Sequence, residues 1–403
     1  MHPVPQGRQS HQGRLSLLAL ALLAAGCGGH AHPTISVTPR VSLSTAPVDI
    51  RVTGLKPRSA TTITVTSRDA TGRVFTSRDV FVADGRGAVE TSATSIAAMA
   101  PPRSQLTAFY AWARSPMKFR VVAKQGRTRL TATFMRELEP AATTNKSLTV
   151  ARDGFFGFYA APRHDAKRSA LLVLGGSEGG LTTDTLAASL AARGYPALAV
   201  AYFKEPGLPS KLEKIPLEYF VQALRWLERQ PQVSPHHVFV LGISRGSEAA
   251  QLLGVHFPGL VGGVIASVPS DYSNGCFVPH PARCSGAAWT FDGRAIPSAP
   301  VTYPAIAEFS RDRIPDERIR GPVFLVCGGV DAEWPSCLYA HDALRHLKGR
   351  PYAHELLEVP LGGHPVGGLL PNQPGGALWD TSADERGRER VWPALLAFLA
   401  RAG

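Results

Sequence analysis

Two patterns of apolar and polar positions divide the chain. From about residue 34 to 139, short runs alternate with period two: Val48-Asp49-Ile50-Arg51-Val52, Thr62-Ile63-Thr64-Val65-Thr66 and Phe119-Arg120-Val121-Val122-Ala123. Alternation places every second side chain on one face, as a strand with one buried side requires. Gly54, Pro57, Gly72 and Asp84-Gly85 break the runs as turns. Short strands at this spacing, with no helical period, predict a small Ig-like β-sandwich over 34–140. No catalytic set lies in it, so packing or ligand presentation is its expected role.

From about Ser147 the runs become continuously apolar. Ala170-Leu171-Leu172-Val173-Leu174 reads as a strand buried on both faces, and Pro196–Tyr202, Val238–Gly242, Gly262–Ser267, Pro322–Cys327 and Glu355–Val359 read alike. Helical segments alternate with them at Thr183–Arg193, Leu217–Arg229, Glu248–His256, Cys337–Lys348 and Val391–Arg401. That alternation predicts an α/β fold over 147–403, a mostly parallel, doubly wound sheet with helices on both sides. Residues 271–320 break it. They are rich in Pro, Gly, Ser and Arg and too long for an idle connection, so they are expected to act as a lid-like insertion.

Composition narrows the class. The chain has 403 residues, 44% hydrophobic and 18% charged, which excludes a disordered or fibrous protein. Its formal charge of +12 is scattered, with no run of five basic residues, so no nucleic-acid partner is expected. Arg8 and Arg14 precede an apolar run from Leu15 to Gly26, and no acid occurs before Asp49. The run is too short to span a bilayer of about 30 Å and reads as a signal peptide over residues 1–26. It ends Leu22-Leu23-Ala24-Ala25-Gly26-Cys27, which resembles a bacterial lipobox. The expectation is a lipidated Cys27 that anchors an exported protein to the periplasmic or extracellular face of a cell envelope.

Export also bears on the other cysteines, Cys276, Cys284, Cys327 and Cys337. An even number in an exported chain points to two disulfides. The local pairs Cys276–Cys284 and Cys327–Cys337 are the economical connectivity among three possible ones. No C-x-x-C or finger-type spacing occurs, so no metal is expected.

The candidate chemistry lies at strand ends. Val238-Phe239-Val240-Leu241 runs into Gly242-Ile243-Ser244-Arg245-Gly246 and then a helix. That is G-x-S-x-G in its strand–turn–helix setting, with Ser244 as nucleophile. The strand ending at Leu174 opens into Gly175-Gly176-Ser177-Glu178-Gly179-Gly180. In an α/β-hydrolase this loop supplies one oxyanion-hole amide, from Ser177 or Glu178, and the residue after the nucleophile, Arg245, supplies the other. The acid and base must follow in the order Ser, Asp, His. Asp331 stands beyond Pro322–Cys327, and His364 stands in Leu361-Gly362-Gly363-His364 before the last helix. Asp271, after the preceding strand, is the rival acid.

These residues carry a resemblance. The order of the two halves and the motifs resemble the acyl-CoA thioesterase/bile acid-CoA:amino acid N-acyltransferase family. In the front half it rests on Ala46-Pro47-Val48-Asp49-Ile50-Arg51-Val52-Thr53-Gly54-Leu55-Lys56-Pro57, Phe81-Val82-Ala83-Asp84-Gly85-Arg86-Gly87 and Ser115-Pro116-Met117. In the back half it rests on Ser244, Asp331 and His364. The resemblance implies an α/β-hydrolase that cleaves an acyl ester or thioester of a small molecule without a cofactor. Family acyltransferases carry Cys as nucleophile and thioesterases carry Ser, so Ser244 favours hydrolysis. The well-known members are intracellular, whereas this chain reads as exported, which separates the family's chemistry from its usual substrate. The alternatives are acyl transfer to an amine, a dienelactone-hydrolase-like or peptidase activity, and a non-catalytic surface-binding lipoprotein.

Overall fold

The period-two runs fold into two small sheets around one core. A computed structural model describes residues 32–403 apart from 92–93, 106–109, 165, 279–283, 300–312 and 376–380. Residues 1–26, expected to be a signal peptide, and Cys27 lie outside the described residues. In chain order the strands are β1 (Thr34–Thr38), β2 (Val41–Leu43), β3 (Asp49–Thr53), β4 (Ala60–Arg68), β5 (Val74–Val82), β6 (Val89–Thr91), β7 (Met117–Gln125) and β8 (Thr128–Glu137). One sheet has the order β1-β3-β6 and the other β2-β8-β7-β4-β5. Their inward residues, among them Ile50, Val52, Ile63, Val65, Phe119 and Val121, form a single hydrophobic cluster. That is a β-sandwich, and the alternation in the sequence is its cause.

An eight-stranded sheet follows. It is built from β9 (Thr143–Leu148), β10 (Phe156–Pro162), β11 (Arg168–Leu174), β12 (Ala197–Ala201), β14 (Val233–Ile243), β15 (Gly263–Ser267), β18 (Val323–Gly328) and β19 (His354–Val359). The order across it is β9-β10-β12-β11-β14-β15-β18-β19, parallel from β12 to β19, with β9 and β10 antiparallel at one edge. Between the strands come α3 (Asp184–Ala191), α4 (Leu217–Glu228), α5 (Arg245–His256) and α6 (Ser336–Leu347), and the chain closes with α7 (Ser382–Ala402); α1 (Thr94–Ala97) and α2 (Val150–Asp153) are single turns. Leu172 and Leu174 of β11 pack in the cluster that takes Phe220 and Leu224 of α4, Leu253 of α5 and Leu347 of α6. Leu171 and Val173 join the cluster that takes Leu190 of α3 and Leu395 and Phe398 of α7. Helices therefore cover both faces, which is why the central strands are apolar at every position. This is the α/β-hydrolase fold.

Three details depart from the sequence reading. The last helix begins at Ser382, not Val391, because Thr381 and Asp384 close a capping box ahead of a polar stretch without apolar periodicity. The edge strand β19 is only half buried, since no strand among the described residues pairs beyond it; Glu358 is exposed there. The polar strand β9 gave no apolar signal and is held by pairing with β10. Within 271–320, β16 (Trp289–Phe291) and β17 (Arg294–Ala295) join β13 (Ile215–Pro216) in a third small sheet, with Trp289 fully buried. The described part of that insertion is thus anchored to the domain.

Candidate active site

Ser244 sits at the sharp turn from β14 into α5. It has φ 55° and ψ −122°, a left-handed conformation that a side chain adopts only when its surroundings impose it. The flanking glycines explain how the turn closes. A Cβ on Gly242 would lie 2.0 Å from the Gly246 carbonyl oxygen, and one on Gly246 would lie 2.4 Å from the Gly175 carbonyl oxygen. No larger residue fits either place. The Ser244 amide is fixed by the Ser267 carbonyl at 3.0 Å.

The other two candidates arrive on loops beyond β18 and β19. His364 Nε2 is 3.0 Å from Ser244 Oγ, and its Nδ1 is 2.9 Å from Asp331 Oδ2 and 3.0 Å from Oδ1. The Asp331 side chain is buried and accepts the Glu333 amide at 2.9 Å. That fixes the carboxylate toward the ring, where it favours the tautomer with the proton on Nδ1 and leaves Nε2 to accept from the hydroxyl. Asp271 is not part of this arrangement. It is buried with Asp316 and Asp342, and burial together with its hydrogen bond to Asp342 pushes its carboxyl up to about 10.

The loop after β11 lies beside the elbow. A Cβ on Gly176 would come within 3.1 Å of the Ser244 Cβ, so the backbone passes directly by Ser244. Glu178 is exposed, and its carboxylate accepts the Gly176 amide at 3.0 Å and the Thr182 hydroxyl at 2.6 Å. The buried Tyr202 hydroxyl donates to the Gly175 carbonyl at 2.7 Å. With the Gly176 amide engaged by Glu178, the Ser177 amide is the next along the loop. Arg245, the first residue of α5, has an amide with no acceptor inside the helix.

The Arg245 side chain points the other way. It pairs with Glu248 at 2.8 Å and donates to the carbonyls of Asn274 and Gly275 at 2.9 and 2.8 Å. Glu248 accepts the Asn274 side-chain amide at 2.7 Å and the Trp289 indole at 2.9 Å. Both ions are buried, and burial raises the Glu248 pKa against the pull of Arg245. A buried pair persists only where its remaining hydrogen-bonding capacity is met, and here the insertion meets it. The helix that follows Ser244 is therefore tied to the insertion through these buried contacts.

Two disulfides join Cys276 to Cys284 and Cys327 to Cys337. The second ties the end of β18 to the start of α6, on either side of Asp331. Among the described residues, Cys327, Cys337 and Glu358 bring donor atoms within 4.8 Å of one another, but both sulfurs are engaged in the disulfide. Sequence reasoning missed Trp334, whose ring meets His364 edge-on, and Asp384 and Arg388, which hold the peptide on either side of it. Trp334 is an aromatic in the Asp331 loop, whereas Arg388 lies in the polar stretch ahead of Val391, where no apolar period marks a helix.

Comparison with known proteins follows the same division of the chain. The family model described as BAAT / Acyl-CoA thioester hydrolase C terminal matches residues 215–368, and the Acyl-CoA thioester hydrolase/BAAT N-terminal region model matches 45–99. The chain is similar to human mitochondrial acyl-coenzyme A thioesterase 2, with 26% identity over 335 residues, 75% of this chain and 68% of that protein. It is similar to mouse acyl-coenzyme A thioesterase 6, with 27% identity over 370 residues, 82% of this chain and 85% of that protein. Among solved structures, a dienelactone hydrolase from Anabaena variabilis aligns with a TM-score of 0.39 and 15% identity, covering 64% of this chain and 98% of its own.

Proposed function

The chain belongs to the acyl-CoA thioester hydrolase/BAAT family, and we propose that it is an acyl ester or thioester hydrolase working through Ser244, His364 and Asp331. The observation that carries this reading is the unbroken relay from Ser244 Oγ through His364 to Asp331, with each step at 2.9–3.0 Å. In the forward direction Ser244 Oγ attacks the acyl carbonyl while its proton passes to His364 Nε2. Asp331 stabilises the imidazolium that forms. The carbonyl oxygen becomes an oxyanion, held by the Ser177 and Arg245 amides with the positive end of α5 behind them. Collapse expels the thiol or alcohol, which takes the proton from His364. Water then gives a proton to His364 and attacks the acyl-serine, and collapse releases the acid as His364 returns that proton to Ser244 Oγ.

The leaving group is a thiol or alcohol small molecule. Two disulfides among the described residues fit an oxidising compartment, which agrees with export. No helix among the described residues is long and apolar enough to cross a membrane, and the proposed anchor is lipid on Cys27. The test is turnover of a series of acyl-CoA and p-nitrophenyl esters by the protein lacking residues 1–26. Ser244→Ala should lose about 10³-fold or more in kcat and its labelling by a fluorophosphonate. Wild-type turnover in that variant overturns the assignment. An amide product formed only with added amine would shift the reading to acyl transfer. For the anchor, Cys27→Ser should leave the full chain either soluble or with residues 1–26 uncleaved, and in both cases without lipid.

A further inference from the structure

His364 is on neither a strand nor a long helix. It follows Gly362 and Gly363 and opens a five-residue turn, His364–Gly368, so its own backbone supplies little rigidity. Its neighbours are fastened from outside. The Gly363 amide donates to Asp384 at 2.6 Å, and Arg388 donates to the Pro365 carbonyl at 3.1 Å. Asp384 and Arg388 are four residues apart on α7 and share one face. The peptide on each side of His364 is thus tied to the first turns of the last helix.

The ties continue beyond α7. Arg388 pairs with Glu385 at 2.7 Å, and Glu385 accepts the Asn372 amide at 2.5 Å. The Asn372 carbonyl accepts from Arg136, on β8 of the sandwich, at 2.7 Å. The other end of the Arg136 fork donates to the carbonyls of Leu43, Ser44 and Ala46, and Asn372 in turn donates to Thr45 at 3.1 Å. Arg136 is 0% exposed, Glu385 3% and Arg388 5%. Packing alone would be served better by apolar residues, because each buried ion carries a desolvation penalty of several kcal/mol before pairing. What the ions add is direction: a continuous polar path from the sandwich to the residue after His364.

We propose that Arg388 and Arg136 are positioning residues for His364, so that the N-terminal sandwich helps to hold the general base of the hydrolase in register. This rests on the reading of His364 as the base. The test uses the protein lacking residues 1–26, with kcat, KM, fluorophosphonate labelling of Ser244 against pH, and Tm measured for Arg388→Met, Arg136→Met, Arg136→Lys and the Arg136→Met/Arg388→Met pair. Arg388→Met should lower kcat about 10- to 100-fold with KM little changed, as a displacement near 1 Å does. Arg136→Met should lower it in the same sense, and the pair should cost less than the product of the single losses, because both break one path. Arg136→Lys, which keeps the charge and the fold but loses the fork, should fall between. If the single variants keep wild-type kcat and labelling rates below their unfolding transitions and only Tm falls, the residues are structural and the proposal fails. His364→Ala separates the two readings. Activity retained there removes the base itself, whereas a dead His364→Ala beside fully active arginine variants removes only the positioning.

Discussion

The Trp334 indole stands edge-on to the His364 imidazole, with ring centroids 5.3 Å apart and planes at 81°. Its N–H donates to the Val268 carbonyl at 3.1 Å, and Val268 itself holds φ 43°, a strained value for a β-branched residue. Strain of that kind persists only when something fixes it, and the Val268 carbonyl is fixed by an indole that also walls His364. Trp334→Ala should lower kcat about 10- to 100-fold through a loosened imidazole. Trp334→Phe keeps an aromatic ring beside His364 while losing the N–H and part of the indole's bulk, so it should cost less than Ala. Equal losses in steady-state kinetics for the two variants would assign the effect to the Val268 contact instead.

The two aspartates after neighbouring strands of the large sheet, β15 and β18, make a paired prediction. Asp331→Asn should reduce kcat by on the order of 10⁴, since an amide at that position favours the wrong imidazole tautomer. Asp271→Asn should leave kcat near wild type, because its carboxyl faces Asp342 and Asp316 and not His364. Steady-state kinetics of the two variants at one pH decides between them, and the reverse ranking would make Asp271 the acid.

The helices and strands around the site were legible because their buried faces write a period into the sequence. Leu171 to Leu174 are apolar at successive positions since helices cover both sides of β11. Ser244, Asp331 and His364 were legible for another reason: glycines and strand ends mark where a side chain can be exposed at the top of the sheet. What the pattern could not carry was the support. Arg136, Glu385 and Arg388 are charged residues, and a charge in the sequence does not mark a buried position. Their burial depends on partners far along the chain, such as Asn372 with Thr45, and no local period encodes that contact. The edge strand β19 erred the other way, reading as buried from apolar residues that are half exposed.

The disulfide Cys327–Cys337 closes a short loop that contains Asp331. On the chain-entropy model a loop of this length stabilises the fold by about 2–3 kcal/mol. On the proposed mechanism the local effect matters more, because the loop presents the Asp331 carboxylate to His364 Nδ1. Reduction of the intact protein should therefore lower kcat at temperatures where circular dichroism still reports a folded chain. The Cys327→Ser/Cys337→Ser double variant should show the same loss without reductant. Full activity in that variant, or loss of activity only together with unfolding, would separate the bond from the site.

The buried acids Asp271, Asp316 and Asp342 predict how stability responds to pH. Two facing carboxylates can share a hydrogen bond only if one keeps its proton, and Asp271 keeps it while Asp342, beside Arg345 and His346, is held below the usual carboxylate range. Burial raises Asp271 to about 10 and Asp316 to about 8. Both are thus protonated in the folded chain at pH values where the unfolded chain, with carboxyl pKa values near 4, has released them. The folded state then binds more protons than the unfolded one, so the slope of stability against pH is negative. These groups cost stability progressively from about pH 4 up to their folded pKa values, while Asp342 contributes the opposite sign in the acid range. Asp271→Asn removes the proton requirement and still offers an N–H to Asp342. It should match wild type near pH 5 and unfold higher by on the order of a few °C at pH 9. Melting curves across that range measure it, and a Tm difference that stays constant with pH would show that Asp271 is ionised in the fold.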